Sequence, residues 1–443
     1  MALTSPILYF ALLAAGEAPM KDMLGRSGVV SREDALKTLE EHFTIPLPVP
    51  ETIHISHSLG RVVAEDILSP EDLPEFDRST MDGYAVRSAD TFGAAESRPA
   101  LLAVVGDVPM GTMPERGIGK GEVMKIATGG ALPTGADAVV MFEQTQPVDA
   151  ASIEVVKAVS PLENVIQAGD DVGKGESLLF RGHRMRPQDM AALAGVGLTR
   201  VKVFEKPRIA IISTGNELVP ADTLPAPGRI RDCNSYNLEG LITQTGGIPV
   251  KKGIIPDEYD RLRETLEAAI RDCDLVLMTG GSSVGIADLT AKVINDAGRP
   301  GVLVHGVSIK PGKPLIVGLV NASPKQVPVF GLPGHPAAVS ICFELFVKPV
   351  LISLTGEVPH PALEGISAYR IVKAKLARSI PSSPGREDHV RVMLEKNDDG
   401  LLARPVFGAS GLISTLVKAV GTVVVPVNGI GIEAGEEVEV RLF

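Results

Sequence analysis

The sequence predicts a multidomain protein in which a central doubly wound α/β domain stands between β-rich domains. Three observations support this fold class. The 443 residues exceed what one hydrophobic core usually organises, so about three or four domains are expected. Strand and helix patterns alternate from about residue 205 to 356, and the residues after them alternate between apolar and polar side chains.

The first 22 residues contain the apolar run "TSPILYFALLAAGEAP", which no Lys or Arg precedes. A secretion signal usually has such a charge, and the run is too short to span a bilayer. We therefore expect residues 1–22 to be a loose extension or to lie upstream of the true start. A cytoplasmic protein with no membrane partner is expected.

The next segments predict a helix and then an all-β domain. "SREDALKTLEEHF" begins with a capping Ser31 and places Leu36, Leu39 and Phe43 at helical spacing. From about residue 72 to 162, short β-branched runs such as "ALLAVVG" and "ADAVVMFEQT" are separated by Gly, Pro and Asp, as in β domains. "RPQDMAALAGVGL" then predicts a second helix.

The central segment alternates buried strands such as "RIAIIS", "DLVLM" and "VPVFG" with amphipathic helices such as "EYDRLRETLEAAIRDC". This pattern predicts a parallel sheet with helices on both faces. From residue 357 onward, "RIVKAKLA", "HVRVMLE", "TVVVPV" and "EEVEVRLF" alternate at period two. The C-terminus is therefore predicted to be a small β domain.

Charge and cysteine content disfavour several classes of function. The net charge is −11 at pH 7 without a block of Lys or Arg, so a nucleic-acid partner is not expected. The three cysteines are far apart and lack a C-x-x-C pair, which disfavours disulfides and zinc–thiolate sites. No H-E-x-x-H motif is present and no Ser/His/Asp set is recognisable, so neither a zinc hydrolase nor a serine nucleophile is expected.

Five unusual loops are expected to meet at one edge of the α/β sheet, because ligands of open α/β sheets bind beyond the carboxyl ends of the strands. The loops are "TGNE", "PDE", "TGGSSVGIAD", "KPGK" and "LPGHP", starting at residues 214, 256, 279, 310 and 332.

The glycine-rich loop "MTGGSSVGIADLT" permits two interpretations. It lacks the Lys of a P-loop and the G-x-G-x-x-G of a dinucleotide site. Its backbone N–H groups, ahead of a helix, suit an anion, and a tight strand-to-helix turn explains the same residues. The residues concerned are Gly280, Gly281, Ser283 and Gly285.

The carboxylates of the loops also permit two interpretations. Glu217 and Asp288 either complement the dipoles of the following helices or bind a metal ion. Together with Asp257 and Glu258 they form a candidate Mg²⁺ set, since Mg²⁺ prefers a few carboxylates beside substrate phosphates.

Lys310 and Lys313 are either solvated surface charges or, held rigidly by the Pro-Gly between them, ligands of an oxyanion. His335 is expected to hydrogen-bond within its own proline-framed loop rather than to bind a metal, because no second His or Cys stands at ligand spacing.

Further acidic residues occur in the first half of the chain. "FDRSTMDGYAVR" contains Asp77 and Asp82, "IATGGALPTGADAVV" contains Thr128, and "AGDDVGKGE" contains Asp170 and Asp171. Hairpin chemistry with Asx turns accounts for these residues without any further role.

Seven motifs occur in one order: "FDRSTMDGYAVR", "IATGGALPTGADAVV", "AGDDVGKGE", "STGNEL", "MTGGSSVGIADLT", "IKPGKP" and "GLPGHP". In this order they resemble the molybdopterin molybdenumtransferases, whose eukaryotic relative is the C-terminal region of gephyrin. The resemblance covers the chain from about residue 23 to its end. It implies insertion of molybdate or tungstate into adenylated molybdopterin, with Mg²⁺-dependent release of AMP.

The resemblance also implies a domain arrangement. A split N-terminal domain would comprise residues 23–71 and 163–204, and the inserted all-β domain residues 72–162. The molybdopterin-binding α/β domain would span residues 205–356, followed by a C-terminal β-barrel of residues 357–443. Members of the family are homodimers with the active cleft between subunits. An adenylyltransferase-type enzyme upstream and molybdoenzymes downstream are the implied partners.

Site residues follow from the resemblance position by position. Glu217, Asp288, Lys310, Lys313 and Asp171 match catalytic positions. Asp77, Asp82, Thr128, Pro333 and Pro336 match substrate-binding positions, of which the first three, with Asp171, reach the site from the other subunit. Arg386 and Ser410 fall near an Arg and a Ser on the oxyanion side.

The sequence departs from the family pattern at several positions. Asp170 replaces a common Glu, and Glu258 replaces a second Asp. Gly306 stands where bacterial and plant members have a lysine, four residues before the "KPGKP" motif, which resembles an archaeal-type branch. The preceding step, adenylation of molybdopterin, is an alternative, although the enzymes for it resemble residues 205–356 alone. A gephyrin-like scaffold and a catalytically silent paralogue are further alternatives.

Overall fold

A computed structural model describes residues 29–280, 284–358, 370–398 and 400–443, with residues 284–287 described by their backbone alone. In the first part of the chain, helix α1 begins after Ser31, whose Oγ accepts a hydrogen bond from the N–H of Asp34 at 3.0 Å. The elements are α1 (Arg32–His42), β1 (Pro50–His54), β2 (Ile67–Leu68), β3 (Arg78–Ser79), β4 (Gly83–Val86), β5 (Ala100–Val108), β6 (Glu122–Ile126), β7 (Ala138–Met141), β8 (Thr145–Pro147), β9 (Ser152–Val155), β10 (Val165–Ile166), β11 (Ser177–Leu179), α2 (Pro187–Gly195) and β12 (Arg200–Phe204).

The segments on either side of the β-rich insertion pack together. Strand β1 pairs with β12, and β2 with β11, both antiparallel. Val63, Leu179, Leu193 and Val203 share one small core. Between them, a six-stranded sheet has the order β7-β4-β6-β5-β9-β8. The predicted fold class, with a split N-terminal domain and an inserted all-β domain, is confirmed.

The α/β domain contains a six-stranded sheet with helices on both faces. Its elements are β13 (Arg208–Thr214), β14 (Leu218–Val219), β15 (Ile230–Arg231), α3 (Asn234–Thr245), β16 (Ile248–Ile255), α4 (Tyr259–Asp272), β17 (Leu275–Thr279), α5 (Val284–Ala297), β18 (Pro300–His305), β19 (Ile309–Lys310), β20 (Ile316–Ala322), β21 (Lys325–Leu332), α6 (Pro336–Cys342) and α7 (Lys348–Leu354). The sheet has the order β16-β13-β17-β21-β20-β18.

Alternate residues of the central strands enter two separate cores, because successive side chains of a strand point to opposite faces. Ile209 and Ile211 of β13 pack with α3, α6 and α7, whereas Ala210 and Ile212 pack with α4 and α5. Helix α1 joins the first of these cores through Leu36 and Leu39. The helix thus packs on the α/β sheet, although the sequence interpretation grouped it with the N-terminal domain.

The prediction of parallel strands throughout is wrong for β20, which runs antiparallel to both of its neighbours. The physical reason is local. Ala322 pairs with Lys325, so only two residues connect β20 to β21, and a two-residue connection joins only antiparallel strands.

The C-terminal strands close into a barrel. The elements are β22 (Ile371–Leu376), β23 (Ile380–Pro381), β24 (Glu387–Asn397), β25 (Gly400–Pro405), α8 (Ser414–Lys418), β26 (Gly421–Val425), β27 (Gly431–Ile432) and β28 (Glu437–Leu442). The sheet order β24-β25-β22-β28-β26 closes through the pairing of β26 with β24, which confirms the predicted β-barrel. Val392, Ala403, Val423 and Val440 belong to its core.

Helix α6, a short π-helical segment (Phe343–Val347) and α7 together form a continuous apolar stretch, Pro336–Leu354. By length and composition this stretch could cross a membrane, but 78% of its most apolar window is buried inside the protein. Its side chains pack within the first core of the α/β domain, and this burial explains why the stretch is so apolar.

We predict that Leu39→Ala lowers the free energy of unfolding by about 2–5 kcal/mol, since Leu39 is 1% exposed and its removal leaves a cavity between α1 and the α/β sheet. Leu47→Ala is the control, because Leu47 is 80% exposed and should change stability by less than about 0.5 kcal/mol. Urea unfolding followed by circular dichroism measures both. Equal shifts of the two midpoints would contradict the packing of α1 on this core.

Candidate functional site

A cavity of about 500 Å³ lies where the α/β domain meets the barrel. Its charged lining residues are the four cations Lys310, Lys313, Arg386 and Arg391 and one carboxylate, Asp388. Pro333, His335, His389 and Ser410 also line it. The cavity therefore unites five of the residues singled out from the sequence, Lys310, Lys313, Pro333, Arg386 and Ser410.

The cavity depends on a strand that crosses from one domain to the other. Ile309 falls within residues 205–356, which were predicted to form the α/β domain, but its strand belongs to the barrel sheet. Strand β19 pairs in parallel with barrel strand β24, Ile309 opposite Glu387 and Lys310 opposite Asp388. The N–H of Glu387 also donates to the carbonyl of Ser308 at 2.8 Å. Backbone hydrogen bonds thus fix Lys310 against the barrel.

Gly306 allows the turn that leads into this strand. Its φ of 95° lies in the left-handed region that favours glycine, and its N–H donates to the carbonyl of Leu315 at 2.8 Å. The N–H of Val307 donates to the carbonyl of Lys313 at 2.9 Å. These bonds close the loop that carries both lysines, so a glycine at this position has a structural use.

Arg391, which sequence reasoning missed, is the most deeply buried cation of the cavity at 7% exposure. One Nη donates to the carbonyl of Gly408 at 3.2 Å, whereas the buried Nε has no hydrogen-bond partner among the described residues. Burial lowers the pKa of Arg391. A buried cation with an unmet donor favours binding of an anion in the cavity.

Asp388 is also absent from the sequence prediction. The residue is 2% exposed, and its Oδ1 accepts a hydrogen bond from Nε of Arg386 at 2.8 Å. Its Oδ2 lies 3.6 Å from Nζ of Lys310. The available signal was the run of charged residues in "REDHVR", which is unusual for a strand that supplies a barrel core.

The barrel also contacts the proline-framed loop. Oγ of Ser410 lies 2.8 Å from Nδ1 of His335, and the N–H of Ala337 donates to the carbonyl of Ser410 at 3.2 Å. His335 was predicted to bond within its own loop, but its partner belongs to the barrel. Pro333 lines the cavity, while Pro336 is buried as the first residue of α6.

The glycine-rich loop lies beside the cavity. Gly280 lines a narrow cleft that shares Pro314 and Pro333 with it. A Cβ at Gly280 would lie 2.0 Å from the carbonyl oxygen of Thr214, so only glycine fits there. Gly281 and Ser283 lie outside the described residues, and Gly285 is in α5.

The predicted metal ligands are not assembled as a metal site. Glu217, Glu258 and Asp288 are exposed. Among the described residues, no group of three or more His, Cys, Asp or Glu side chains is placed to hold a metal ion. Asp257 differs from the other three, because its Oδ2 accepts from the N–H of Asn216 at 3.1 Å and its buried Oδ1 has no partner among the described residues.

The acidic residues of the first half lie elsewhere in the chain. Asp77, Asp82, Thr128 and Asp171 are exposed, and none of them lines the cavity. Thr128 donates to Oδ1 of Asp82 from its N–H at 2.7 Å and its hydroxyl at 3.0 Å, and the backbone bond is the larger cause of the lowered pKa of Asp82. Asp77 accepts from the N–H of Ala168 at 2.8 Å. These bonds connect residues 46 and 91 positions apart, so they join separate segments and are not the local Asx turns expected from the sequence.

A buried charge cluster supports the strand beneath the cavity. Oε1 of Glu387 lies 2.7 Å from Nε2 of His389 and 3.9 Å from Nε of Arg32, and all three residues are buried. Burial raises the pKa of Glu387, but contact with His389 and the charges of His389, Arg32 and Arg441 outweigh it and hold the pKa at about 2. The cluster joins α1 to the barrel.

Three family models match most of the chain. The MoeA N-terminal region (domains I and II) matches residues 30–197, a probable molybdopterin-binding domain residues 210–353, and the MoeA C-terminal region (domain IV) residues 373–443. Together with the fold, these matches define a multidomain protein of the molybdenum cofactor biosynthesis class.

Relatives and solved structures agree with the models. The chain is 37% identical over 401 residues to a putative molybdopterin biosynthesis protein of Methanocaldococcus jannaschii, covering 88% of this chain and 92% of that one. It is 33% identical to the molybdopterin molybdenumtransferase of Bacillus subtilis, covering 89% and 90%. A crystal structure of a Pyrococcus molybdopterin biosynthesis MoeA protein matches at TM-score 0.78 and 40% identity, covering 94% and 99%. The chain belongs to the molybdopterin molybdenumtransferase (MoeA) family.

The ionised form of Glu387 is predicted to stabilise the fold in a defined pH range. Its folded pKa of about 2 lies below the ordinary value of 4.5, so its contribution is complete above pH 4.5 and is lost as the pH falls towards 2. Glu387→Gln should lower the free energy of unfolding at pH 7 by on the order of 3 kcal/mol and flatten its pH dependence in that window. Urea titrations between pH 2 and 7 measure both effects.

Glu439→Gln is the control for this experiment, since Glu439 is an exposed carboxylate of the same barrel. The control should retain the pH dependence of the wild type. An unchanged pH dependence in Glu387→Gln would show that the buried cluster does not stabilise the ionised carboxylate.

Proposed function

We propose that the protein is a molybdopterin molybdenumtransferase, which inserts molybdate or tungstate into the dithiolene of adenylated molybdopterin with Mg²⁺-dependent release of AMP. The observation that carries the proposal is the cavity between the α/β domain and the barrel, which four cations line. A tetrahedral oxyanion accepts hydrogen bonds from several directions and suits such a cluster of donors. Membership of the family supports the same reaction.

In the proposed reaction, the two dithiolene sulfurs of the substrate bond to the metal of the oxyanion, and one displaced oxygen leaves as water with the two protons of the thiols. Four cations hold the oxyanion and disperse its charge: Lys310, Lys313, Arg386 and Arg391. Water then cleaves the phosphoanhydride, and AMP leaves. The protein supplies orientation and charge, and no protein nucleophile takes part.

The loop carboxylates fit a magnesium ion that is completed by substrate. Mg²⁺ usually binds one or two carboxylates together with phosphate oxygens and water, so a cage built by the protein alone is not needed. The unpartnered Oδ1 of Asp257 and the exposed carboxylates of Glu217 and Asp288 are the oxygen ligands that the chain offers. When bound, Mg²⁺ would neutralise charge on the phosphoanhydride.

The second proposed component of the site is a homodimer. The exposed residues Asp77, Asp82, Thr128 and Asp171 do not reach the cavity of their own chain. We place them in the cleft of the partner subunit, where they would contact the bound substrate. In the same proposal, the protein works in the cytoplasm between an adenylyltransferase-type enzyme and the molybdoenzymes that receive the cofactor.

The adenylation of molybdopterin is less well supported as a function. The barrel supplies five of the eight charged and polar residues that line the cavity: Arg386, Asp388, His389, Arg391 and Ser410. An enzyme resembling the α/β domain alone would have no such cavity.

The proposed reaction is tested with purified protein, adenylated molybdopterin, Mg²⁺ and molybdate or tungstate. AMP release and active cofactor should both depend on the oxyanion. Asp288→Asn should abolish AMP release, because it removes a carboxylate charge beside the phosphoanhydride, and should leave the dimer intact. Ion-exchange chromatography measures AMP, and light scattering measures the mass of the particle.

Asp260→Asn serves as the matched control, since Asp260 is an exposed carboxylate in the first turn of α4. It should release AMP at the wild-type rate. Undiminished release by Asp288→Asn would contradict the proposed role of Asp288. No AMP release by the wild type, under conditions in which a related enzyme is active, would overturn the proposed function.

The site across subunits is tested by mixing two inactive variants. Asp82→Asn and Asp288→Asn would damage opposite walls of the cleft, so a mixed dimer would have one intact site. Random exchange should restore about a quarter of wild-type activity, because half of the dimers are mixed and each has one working site of two. Absence of recovery after demonstrated subunit exchange would show that Asp82 and Asp288 of one subunit serve the same site, which would contradict a site shared between subunits.

A further inference from the structure

Asp388 stands out because a carboxylate is unexpected in a cavity for an anion. It is 2% exposed and lies on barrel strand β24. Both of its oxygens face cations, with Oδ1 at 2.8 Å from Nε of Arg386 and Oδ2 at 3.6 Å from Nζ of Lys310. A negative charge at this point repels an oxyanion and weakens its binding, so its presence in the cavity calls for an explanation.

The two cations that contact Asp388 come from different domains. Lys310 belongs to the loop of the α/β domain and is paired in register with Asp388 by the parallel bridge. Arg386 precedes Asp388 by two residues on the barrel side. We propose that Asp388 is a positioning residue, which holds Lys310 and Arg386 together so that they form a ready-made oxyanion site.

The need for such a residue follows from charge and flexibility. Two cations that converge on one point repel each other, and a long Lys or Arg side chain loses rotamer entropy when it is fixed. The side chains of Lys310 and Arg386 are 58% and 38% exposed, so water would otherwise attract both heads out of the cavity. The buried carboxylate offsets the repulsion and restricts both side chains.

The contacts leave the cations able to bind a ligand. Arg386 uses Nε towards Asp388, so its two Nη groups are not consumed by that bond. The distance of 3.6 Å from Lys310 to Asp388 is longer than a hydrogen bond, so the ammonium is attracted without committing a donor. Asp388 therefore acts through the two cations and makes no contact with the oxyanion itself.

This inference rests on the proposed function, because it assigns a role within the same cavity. Its test measures binding directly and needs no turnover. Asp388→Asn retains the shape of the side chain but removes the charge. The dissociation constant of tungstate, measured by equilibrium dialysis, should rise roughly ten- to hundredfold, as expected when a supporting partner of a binding group is lost.

Glu395→Gln is the matched control. Glu395 lies on the same strand and accepts two bonds from Arg404 at 2.8 Å, but this pair is on the exposed outside of the barrel. The control should bind tungstate as the wild type does. In turnover, Asp388→Asn should raise the KM for molybdate, while kcat at saturating molybdate and the KM for adenylated molybdopterin stay near their wild-type values.

A double-mutant cycle separates positioning from a general structural effect. Arg386→Gln alone should weaken tungstate binding, and adding Asp388→Asn to it should weaken binding less than Asp388→Asn does in the wild type. If Asp388→Asn does not fold, Arg386→Lys carries the test. It retains the charge but lacks the Nε donor that Asp388 fixes, and it should show a similar loss of tungstate affinity.

Unchanged or tighter tungstate binding by folded Asp388→Asn would overturn the inference. It would show that Asp388 only neutralises the two cations, since removal of its charge would then leave them available to the anion. Strictly additive losses of tungstate affinity in the double-mutant cycle would also overturn it. Where Arg386→Lys is used instead, unchanged tungstate binding by that variant would do the same. If wild-type protein binds tungstate and Asp388→Asn binds it equally, the inference alone fails. If the wild type does not bind either oxyanion, the proposed function fails with it.

Discussion

The pairing of strand β19 with barrel strand β24 is the contact on which the cavity depends. Two residues, Ile309 and Lys310, leave the α/β domain and continue the barrel sheet. Their backbone hydrogen bonds determine how the loop with Lys310 and Lys313 faces the barrel. As a result, cations from two domains line one cavity. The buried cluster of Glu387, His389 and Arg32 supports the same strand from beneath and connects it to the first helix.

The charge balance of this junction explains how an acidic protein can offer an anion site. The chain has a net charge of −11, yet the charged lining of the cavity contains four cations and one carboxylate. Local charge matters more than net charge here, because interactions beyond about 10 Å are largely screened in water at ordinary ionic strength. Burial of Arg391 strengthens its attraction for an anion further, since the low dielectric surroundings provide little competing solvation.

The sequence predicted the parts of the fold that depend on local periodicity. The two faces of β13, the amphipathic helices and the alternating barrel strands are all visible as patterns of apolar residues. The sequence also placed Lys310, Lys313, Pro333, Arg386 and Ser410 near one site, and all five line the cavity. Local patterns could not predict that Ile309 pairs with the barrel sheet, because strand pairing between domains is a property of the tertiary fold.

The same limit explains the missed residues. Arg391 lies in the run "HVRVMLE", which was correctly predicted as a strand, and Asp388 directly precedes that run. Alternation does not show which charged residues are buried or what they face. The predicted Mg²⁺ set shows a further limit. Four carboxylates at strand ends were expected to converge, but three of them are exposed in the single chain. A Mg²⁺ site that is completed by substrate would also require ligands that the protein sequence does not contain.

The most direct test of the account is a crystal structure of the protein soaked with tungstate, in which anomalous scattering locates the metal. The account predicts a tungsten peak in the cavity between the α/β domain and the barrel, with oxygens within hydrogen-bond distance of Lys310, Arg391 and Ser410. A saturated tungstate site elsewhere, with the cavity lacking a peak, would contradict it.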